Sequence, residues 1–277
     1  MPFTAAHPAI VLPFMRVFGR FRAASALVIG SMVPDLVYFV PWLRRGYGSH
    51  SLMGLVTFCL PVGLALVIGF EVVLRKPLTF LLPPAIRSRL TASPPPESSS
   101  GLHTAVAVVI ALLLGAFTHI AWDLIETPSG AVLRRAPWAL SNLITIGGYR
   151  LYAYRLLQHC GTILGLAAIG WVVHRWYGAQ PVPASTVSEL RDRSFRVASL
   201  LTIVVIATAV GIFGGARSDL PPEWLQWIRY FLHRAVVWGG RGGGVAIGVY
   251  SAIWWVRQRH GMREVRSHAR VSSLPFV

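Results

Sequence analysis

Long apolar runs dominate the chain and predict membrane-spanning helices. A spanning helix needs about 20 mainly apolar residues, and four such runs are clear. They cover residues 51–74, 104–125, 156–177 and 195–215. A fifth run, 231–256, is weaker because Arg234 and Arg241 interrupt it. The pattern therefore predicts about five passes through a membrane.

One further apolar stretch, 23–40, is interrupted by polar features. Pro34 has no backbone N–H and Asp35 is ionisable, so a straight spanning helix is not expected there. A broken backbone survives at membrane depth only where protein or water covers it. We predict an all-α fold: a polytopic helical membrane bundle with about five spanning helices plus a broken or re-entrant N-terminal segment.

The chain changes character near residue 178. Residues 1–177 are expected to form a membrane domain that carries the unusual polar residues, and 178–194, rich in Pro, Ser and Thr, a linker. Residues 195–258 add two membrane helices, and 259–277 form a basic tail. Any chemistry is therefore expected in the first part of the chain.

Composition supports a membrane location and narrows the choice of partners. Of the 277 residues, 54% are hydrophobic and 13% are charged, whereas about 25% are charged in a soluble domain. The net charge of +16 would suit nucleic acid, but the basic residues lie in short clusters between apolar runs. That distribution favours membrane lipid, through anionic head groups, and no nucleic acid. The sequence leaves the oligomeric state open.

Two polar side chains lie within an apolar run in the stretch GAFTHIAWDLIE. His119 and Asp123 are four positions apart, so on a helix their side chains share one face, one turn apart. An imidazole and a carboxylate placed in this way can bind one metal ion together. A hydrogen bond that closes off the bundle interior explains the pair equally well.

Three more polar residues are expected at the same membrane face. His50 directly precedes the first run and Asp123 ends the second, so two antiparallel passes bring them to one side. The broken segment can place Asp35 at that level, and His7 in TAAHPA is a further candidate. Three imidazoles and two carboxylates suit a divalent metal ion, with Zn²⁺ preferred and Mn²⁺ or Fe as alternatives. Each residue alone also has a structural explanation, such as Asp35 capping a helix.

Four other residues are candidates for supporting roles. Gln158 and His159 open the third run on the same face and are candidates for a hydrogen bond to the ligands or an extra ligand. Core packing explains both as well. Arg44 and Arg45 are candidates for binding an anionic group, with ordinary contact to lipid phosphate as the alternative.

Five stretches of the first 177 residues carry a family resemblance. They read MPFTAAHPAIVLP, SALVIGSMVPDLVYF, SHSLMGLVTFCLPVGL, GAFTHIAWDLIE and YRLLQHCGTILGL. In this order they resemble the bacterial membrane protein family called domain of unknown function 4184, which is similar to inner-membrane metal-dependent hydrolases. The resemblance implies a multi-pass protein of the bacterial cytoplasmic membrane with a His/Asp metal centre. The recurring positions of that family correspond to His7, Asp35, His50, His119 and Asp123.

The chain departs from the family pattern shortly after Asp123. Relatives carry Thr-His there, whereas this chain has Thr127 followed by Pro128. If the missing histidine is a ligand in the relatives, this chain holds fewer ions or is inactive.

The residues and the resemblance together predict a metal-dependent hydrolase. A metal-activated water would attack a phosphoester of a lipid-borne or anionic substrate, and the catalytic candidates Asp35 and Asp123 would bind the ion or accept a proton. The competing hypothesis is a protein without catalysis. Its cluster would then bind metal structurally or line a path for ions or protons.

Overall fold

The chain folds almost entirely as helices in the part that the computed structural model describes, which confirms the all-α prediction. The described residues are 4–44, 48–92, 101–127, 135–146, 149–180, 190–216 and 223–272. The helices of this part are Pro8–Val11 (α1), Met15–Arg20 (α2), Ala24–Gly30 (α3), Leu36–Phe39 (α4), Leu52–Leu81 (α5), Pro84–Ala92 (α6), Gly101–Glu126 (α7), Ala153–Ala179 (α8), Leu190–Gly215 (α9) and Trp224–Ser272 (α10).

Four of the described helices are long and apolar enough to cross a membrane. They are α5, α7, α8 and the Arg193–Gly215 part of α9, and they contain the four clear apolar runs of the sequence. The fifth run, 231–256, lies inside α10, which is not among them. α10 also continues through the basic residues that follow residue 258, as far as Ser272. The protein is therefore a membrane protein with four candidate spans in its described part.

The N-terminal segment is a series of short helices separated by prolines. Pro13, Pro34 and Pro41 each lie in the first two positions of a 3-10 turn, where a missing N–H costs no helical hydrogen bond. The turn Val33–Asp35 separates α3 from α4, which confirms the predicted break at Pro34 and Asp35. Asp35 is consequently held at a buried junction between helices.

Helix α3 packs directly on α7 through two glycines. A methyl group on Gly115 would collide with the carbonyl oxygen of Leu27, and one on Gly30 would lie 2.5 Å from the carbonyl oxygen of Leu112. Glycine allows two backbones to approach this closely. The buried core around the contact is aliphatic and consists of Val11, Ala23, Ala26, Leu27, Val67, Ala107, Ala111 and Leu112.

A two-stranded hairpin precedes α8, and the sequence analysis did not predict it. Strands Asn142–Ile146 (β1) and Tyr149–Tyr152 (β2) are antiparallel, with Ile146 opposite Tyr149. The signal that could have found the hairpin is the pair Gly147-Gly148 between two β-prone stretches.

The C-terminal helices α9 and α10 pack against each other and are tied to the rest of the bundle by hydrogen bonds. Arg241 donates from Nε to the carbonyl oxygen of Phe39 (2.9 Å) and from Nη2 to that of Tyr38 (3.0 Å). The Tyr250 hydroxyl donates to the carbonyl oxygen of Pro77 (3.0 Å). Helix α10 therefore holds the end of α4, close to the turn that carries Asp35.

Substitution of Gly115 by alanine tests the contact between α3 and α7. Because the added methyl group meets backbone atoms, we expect Gly115→Ala to destabilise the protein by about 1–3 kcal/mol. The measurement is thermal unfolding of the detergent-purified protein. Gly170→Ala is the matched control, because a methyl group there meets no atom within 4 Å. Equal melting temperatures for the two variants would contradict the proposed close contact.

Candidate metal centre

Five side chains from four parts of the chain meet at the end of α7. His119 and Asp123 come from its last two turns, and His50 comes from the residues just before α5. His7 lies at the start of α1, and Asp35 ends the turn Val33–Asp35. The structure thus brings together the five residues singled out in the sequence, although their roles as ligands stay predictions.

Four of these residues point a nitrogen or oxygen atom at one another. His50 Nε2 lies 3.3 Å from Asp35 Oδ1 and 3.3 Å from Asp123 Oδ2. His119 Nε2 lies 3.5 Å from Asp35 Oδ1 and 3.6 Å from Asp123 Oδ2. One atom from each of the four lies within 4.8 Å of the others, so the group can hold a metal ion.

His7 lies beside this group of four. Its ring stacks on His119 with 3.9 Å between centroids and an interplanar angle of 17°. Its Nε2 is 3.8 Å from Asp123 Oδ1. His7 is therefore placed to contact the group through Asp123 and to fix the plane of the His119 ring.

Neighbouring groups form hydrogen bonds with the atoms of the ligand candidates that face away from the cluster. His119 Nδ1 is 2.7 Å from the carbonyl oxygen of Ser31, so Nδ1 carries a proton and donates it to this oxygen. In the neutral imidazole, Nε2 then has a lone pair that can bind a metal ion. Thr4 donates its hydroxyl to Asp35 Oδ2 at 2.6 Å, so that Oδ1 faces the cluster. His50 Nδ1 is 3.0 Å from Ser49 Oγ. Each contact holds the outer atom of a side chain and leaves the inner atom directed at the cluster.

Several buried atoms of the five side chains lack hydrogen-bond partners. Asp35 Oδ1, His50 Nε2 and His119 Nε2 face the group of four, whereas Asp123 Oδ1 faces His7, whose two ring nitrogens also lack a partner. A buried polar atom without a partner costs about 1–3 kcal/mol, so a group of them in one place is an arrangement that suits a bound cation. In a tetrahedral zinc site, bonds of 2.0–2.1 Å put neighbouring ligand atoms about 3.3 Å apart. The observed separations of 3.3–3.6 Å fit such a site.

The two candidates outside the spanning segments have shifted pKa values. Burial alone would raise the pKa of Asp35, but the imidazoles of His119 and His50 and the Thr4 hydroxyl hold it below its usual range. Burial acts to lower the pKa of His50, and the facing carboxylates of Asp123 and Asp35 outweigh burial and raise it. The ionised carboxylate of Asp35 is therefore ready to bind a cation, which would displace any proton on His50.

The supporting candidates lie in different places. The Gln158 side chain is buried and donates to the carbonyl oxygen of Glu126 at 2.8 Å, so it binds the end of α7. His159 is exposed. Arg45, Pro128 and the Arg44 side chain lie outside the described residues.

Sequence reasoning missed several groups that the site uses. The hydroxyl of Thr4 and the carbonyl of Ser31 carry no recognisable motif, because a backbone carbonyl or a threonine can lie anywhere along a chain.

A family match covers nearly the whole chain. Residues 1–252 match the family described as domain of unknown function 4184. The match continues past residue 177, where the resemblance seen in the sequence ended, and includes α9 and much of α10. No curated protein and no solved structure matches the chain. The chain therefore belongs to the family described as domain of unknown function 4184.

Proposed function

We propose that this protein is a membrane-embedded, metal-dependent hydrolase that cleaves a phosphoester of a lipid-borne or anionic substrate. The observation that supports it is the convergence of two histidines and two aspartates, in which the inward-facing atoms of Asp35, His50 and His119 lack hydrogen-bond partners. Such an arrangement is costly in a protein without a cation and suits one with a bound divalent ion.

Four residues would hold the ion: Asp35, His50, His119 and Asp123. Zinc is preferred because imidazole nitrogens and carboxylate oxygens are among its usual ligands, with manganese or iron as alternatives. When bound, a divalent ion supplies hydroxide near neutral pH and polarises a phosphoryl oxygen. The hydrolysis of a phosphoester needs both of these contributions.

The two carboxylates are suited to different tasks. Asp35 is 2% exposed in its side chain and is fixed by Thr4, which suits a ligand that does not move. The Asp123 side chain is 10% exposed and contacts three imidazoles, His7, His50 and His119. Asp123 would face the ion through Oδ2, and its Oδ1, the oxygen near His7, is the better acceptor for the proton of the attacking water.

The position of the cluster supports a substrate at the membrane surface. His119 is fully buried, whereas the His50 side chain is 27% exposed and lies just before the first spanning helix. Access is therefore from the membrane face at which α5 begins and α7 ends. A phosphoester carried by a lipid presents its head group at this level.

A second candidate function is a metal site or an ion path without catalysis. Its support is the near-complete burial of His7, Asp35 and His119, which leaves little room for a substrate at the ion. Five titratable side chains in contact inside a helical bundle are also typical of proton paths. Metal content and turnover separate the two candidates.

Elemental analysis of the purified protein tests the metal. We expect about one divalent ion per chain, lost in His119→Ala and in Asp123→Ala because each removes a ligand. His174→Ala is the control, since His174 is exposed on α8. Wild-type protein that contains no metal and takes up none on incubation with Zn²⁺, Mn²⁺ or Fe²⁺ would contradict the hydrolase and the structural metal site, and would favour the ion or proton path.

Phosphate release from lipid phosphoesters tests the chemistry. We expect turnover that stops on chelation, returns with added ion, and falls roughly 10²- to 10⁴-fold in Asp123→Asn, which lacks the proton acceptor. His174→Ala should keep the wild-type rate. Bound metal without turnover on any phosphoester would favour the non-catalytic candidate.

The Thr4 hydroxyl offers a test of how the site is oriented. Thr4→Val removes the hydrogen bond that directs Asp35 Oδ1 inward, and we expect metal affinity to fall about 10- to 100-fold. Competition with a chelating dye measures it. Thr57→Val is the control, because the Thr57 hydroxyl donates only to the carbonyl of its own helix. If both variants bind metal as tightly as the wild type, Thr4 does not orient a ligand.

A further inference from the structure

The end of the bundle opposite the metal centre contains a buried arginine without a partner. Arg196, in the first turns of α9, is 8% exposed and its Nη1 has no hydrogen-bond partner. Among the side chains that the structure describes, which begin at residue 193 in α9, no carboxylate forms an ion pair with it. A buried guanidinium normally has an anionic partner, because removing its charge from water is costly.

Two further arginines lie over aromatic rings at the start of α9. The Arg257 guanidinium lies 4.1 Å from the ring centre of Phe195, the residue next to Arg196. The centre of the Phe80 ring is 6.1 Å from the centre of the Phe195 ring. The Arg87 guanidinium lies 5.5 Å from the centre of the Phe80 ring. Positive charge from α6, α9 and α10 is therefore gathered around two aromatic rings. We call Arg87, Arg196 and Arg257 the arginine group.

An apolar groove begins at the same place. It encloses about 340 Å³ between α9 and α10 and starts at Phe195. Its lining is apolar apart from two hydroxyl side chains and the Tyr250 ring, and it includes Ala198, Ile203, Ile206, Val249 and Ile253. From Phe195 to Ile206 the rise of α9 is about 16 Å, at 1.5 Å per residue. The groove therefore runs from the arginine group along the spanning part of α9.

We propose that these two features form one binding site for an anionic glycerophospholipid. The lipid phosphate binds Arg196 and Arg257, and one acyl chain lies in the groove between α9 and α10. The charge of the arginine group selects a phosphate without a compensating ammonium, because a zwitterionic head group would bring a cation to the same place. The apolar groove selects a ligand with a hydrocarbon chain.

This site is independent of the proposed hydrolase activity. Phe195 lies near the start of α9 and Phe80 near the end of α5, whereas the metal centre lies at the start of α5. The lipid would join α9 and α10 to α5 on the far side of the bundle.

Native mass spectrometry of the full chain, with added lipids, tests the site. The probes are phosphatidylglycerol, phosphatidylcholine with the same acyl chains, and inorganic phosphate. We expect phosphatidylglycerol to bind roughly tenfold more tightly than phosphatidylcholine, and inorganic phosphate not to compete at equal concentration. Arg196→Gln and Arg257→Gln should each lower phosphatidylglycerol affinity by roughly tenfold. Arg257 is exposed, so its variant keeps the test valid if Arg196→Gln does not fold.

Matched variants separate this site from general attraction of lipid. Arg175→Gln removes an exposed arginine at the same end of the bundle and should leave the affinity unchanged. Ala198→Phe fills the groove and should lower the affinity for both lipids. Val197→Phe should leave the affinity unchanged, because Val197 is exposed and does not line the groove.

Three results would overturn the proposal. Equal affinity for the two lipids would show that the protein binds them only as ordinary surrounding lipid. An equal loss of phosphatidylglycerol affinity in Arg175→Gln and Arg257→Gln would show that diffuse surface charge attracts the lipid. Competition by inorganic phosphate, with no effect of Ala198→Phe, would show a phosphate site that does not recognise a lipid.

Discussion

The hydrogen bond between His119 and the carbonyl oxygen of Ser31 connects the packing of the bundle to the geometry of its polar cluster. It forms because α3 and α7 touch backbone to backbone at Gly30 and Gly115, which brings the end of α3 within reach of the next turn of α7. The bond fixes which nitrogen of His119 faces inward. A larger residue at Gly115 would separate the two helices and with them the inner atoms of the site.

The cluster holds its side chains in an arrangement that is unfavourable without a cation. Asp35 and Asp123 bring negative charge, and three imidazoles present atoms that find no hydrogen-bond partner. The outer atoms of His119, Asp35 and His50 are held by ordinary protein groups, such as the Thr4 hydroxyl on Asp35. This separation of outer and inner atoms is what a metal site requires, because the ligands must be oriented before the ion binds. The same separation is not needed for a simple buried hydrogen bond.

Spacing and membrane topology were enough to find four residues of the cluster in the sequence, whereas His7 was a candidate without such an argument. His119 and Asp123 follow from their four-residue spacing on one helix. His50 follows from two antiparallel spans, which bring the start of the first and the end of the second to one membrane face. Asp35 follows from the break that Pro34 imposes. What the sequence could not supply is the set of tertiary contacts that orients them, because the Ser31 carbonyl and the Thr4 hydroxyl act across the fold. The link from Arg241 to the carbonyls of α4 is equally non-local, and it gives α10 a structural connection to the segment that carries Asp35.

X-ray absorption spectroscopy of the zinc-loaded protein tests the central claim most directly, because it reports the atoms around the ion without reference to any substrate. The account predicts a first shell of nitrogen and oxygen atoms at about 2.0–2.1 Å, with the outer-shell scattering of two imidazole rings. A shell without imidazole scattering, or one with sulfur at about 2.3 Å, would place the ion elsewhere and contradict the account.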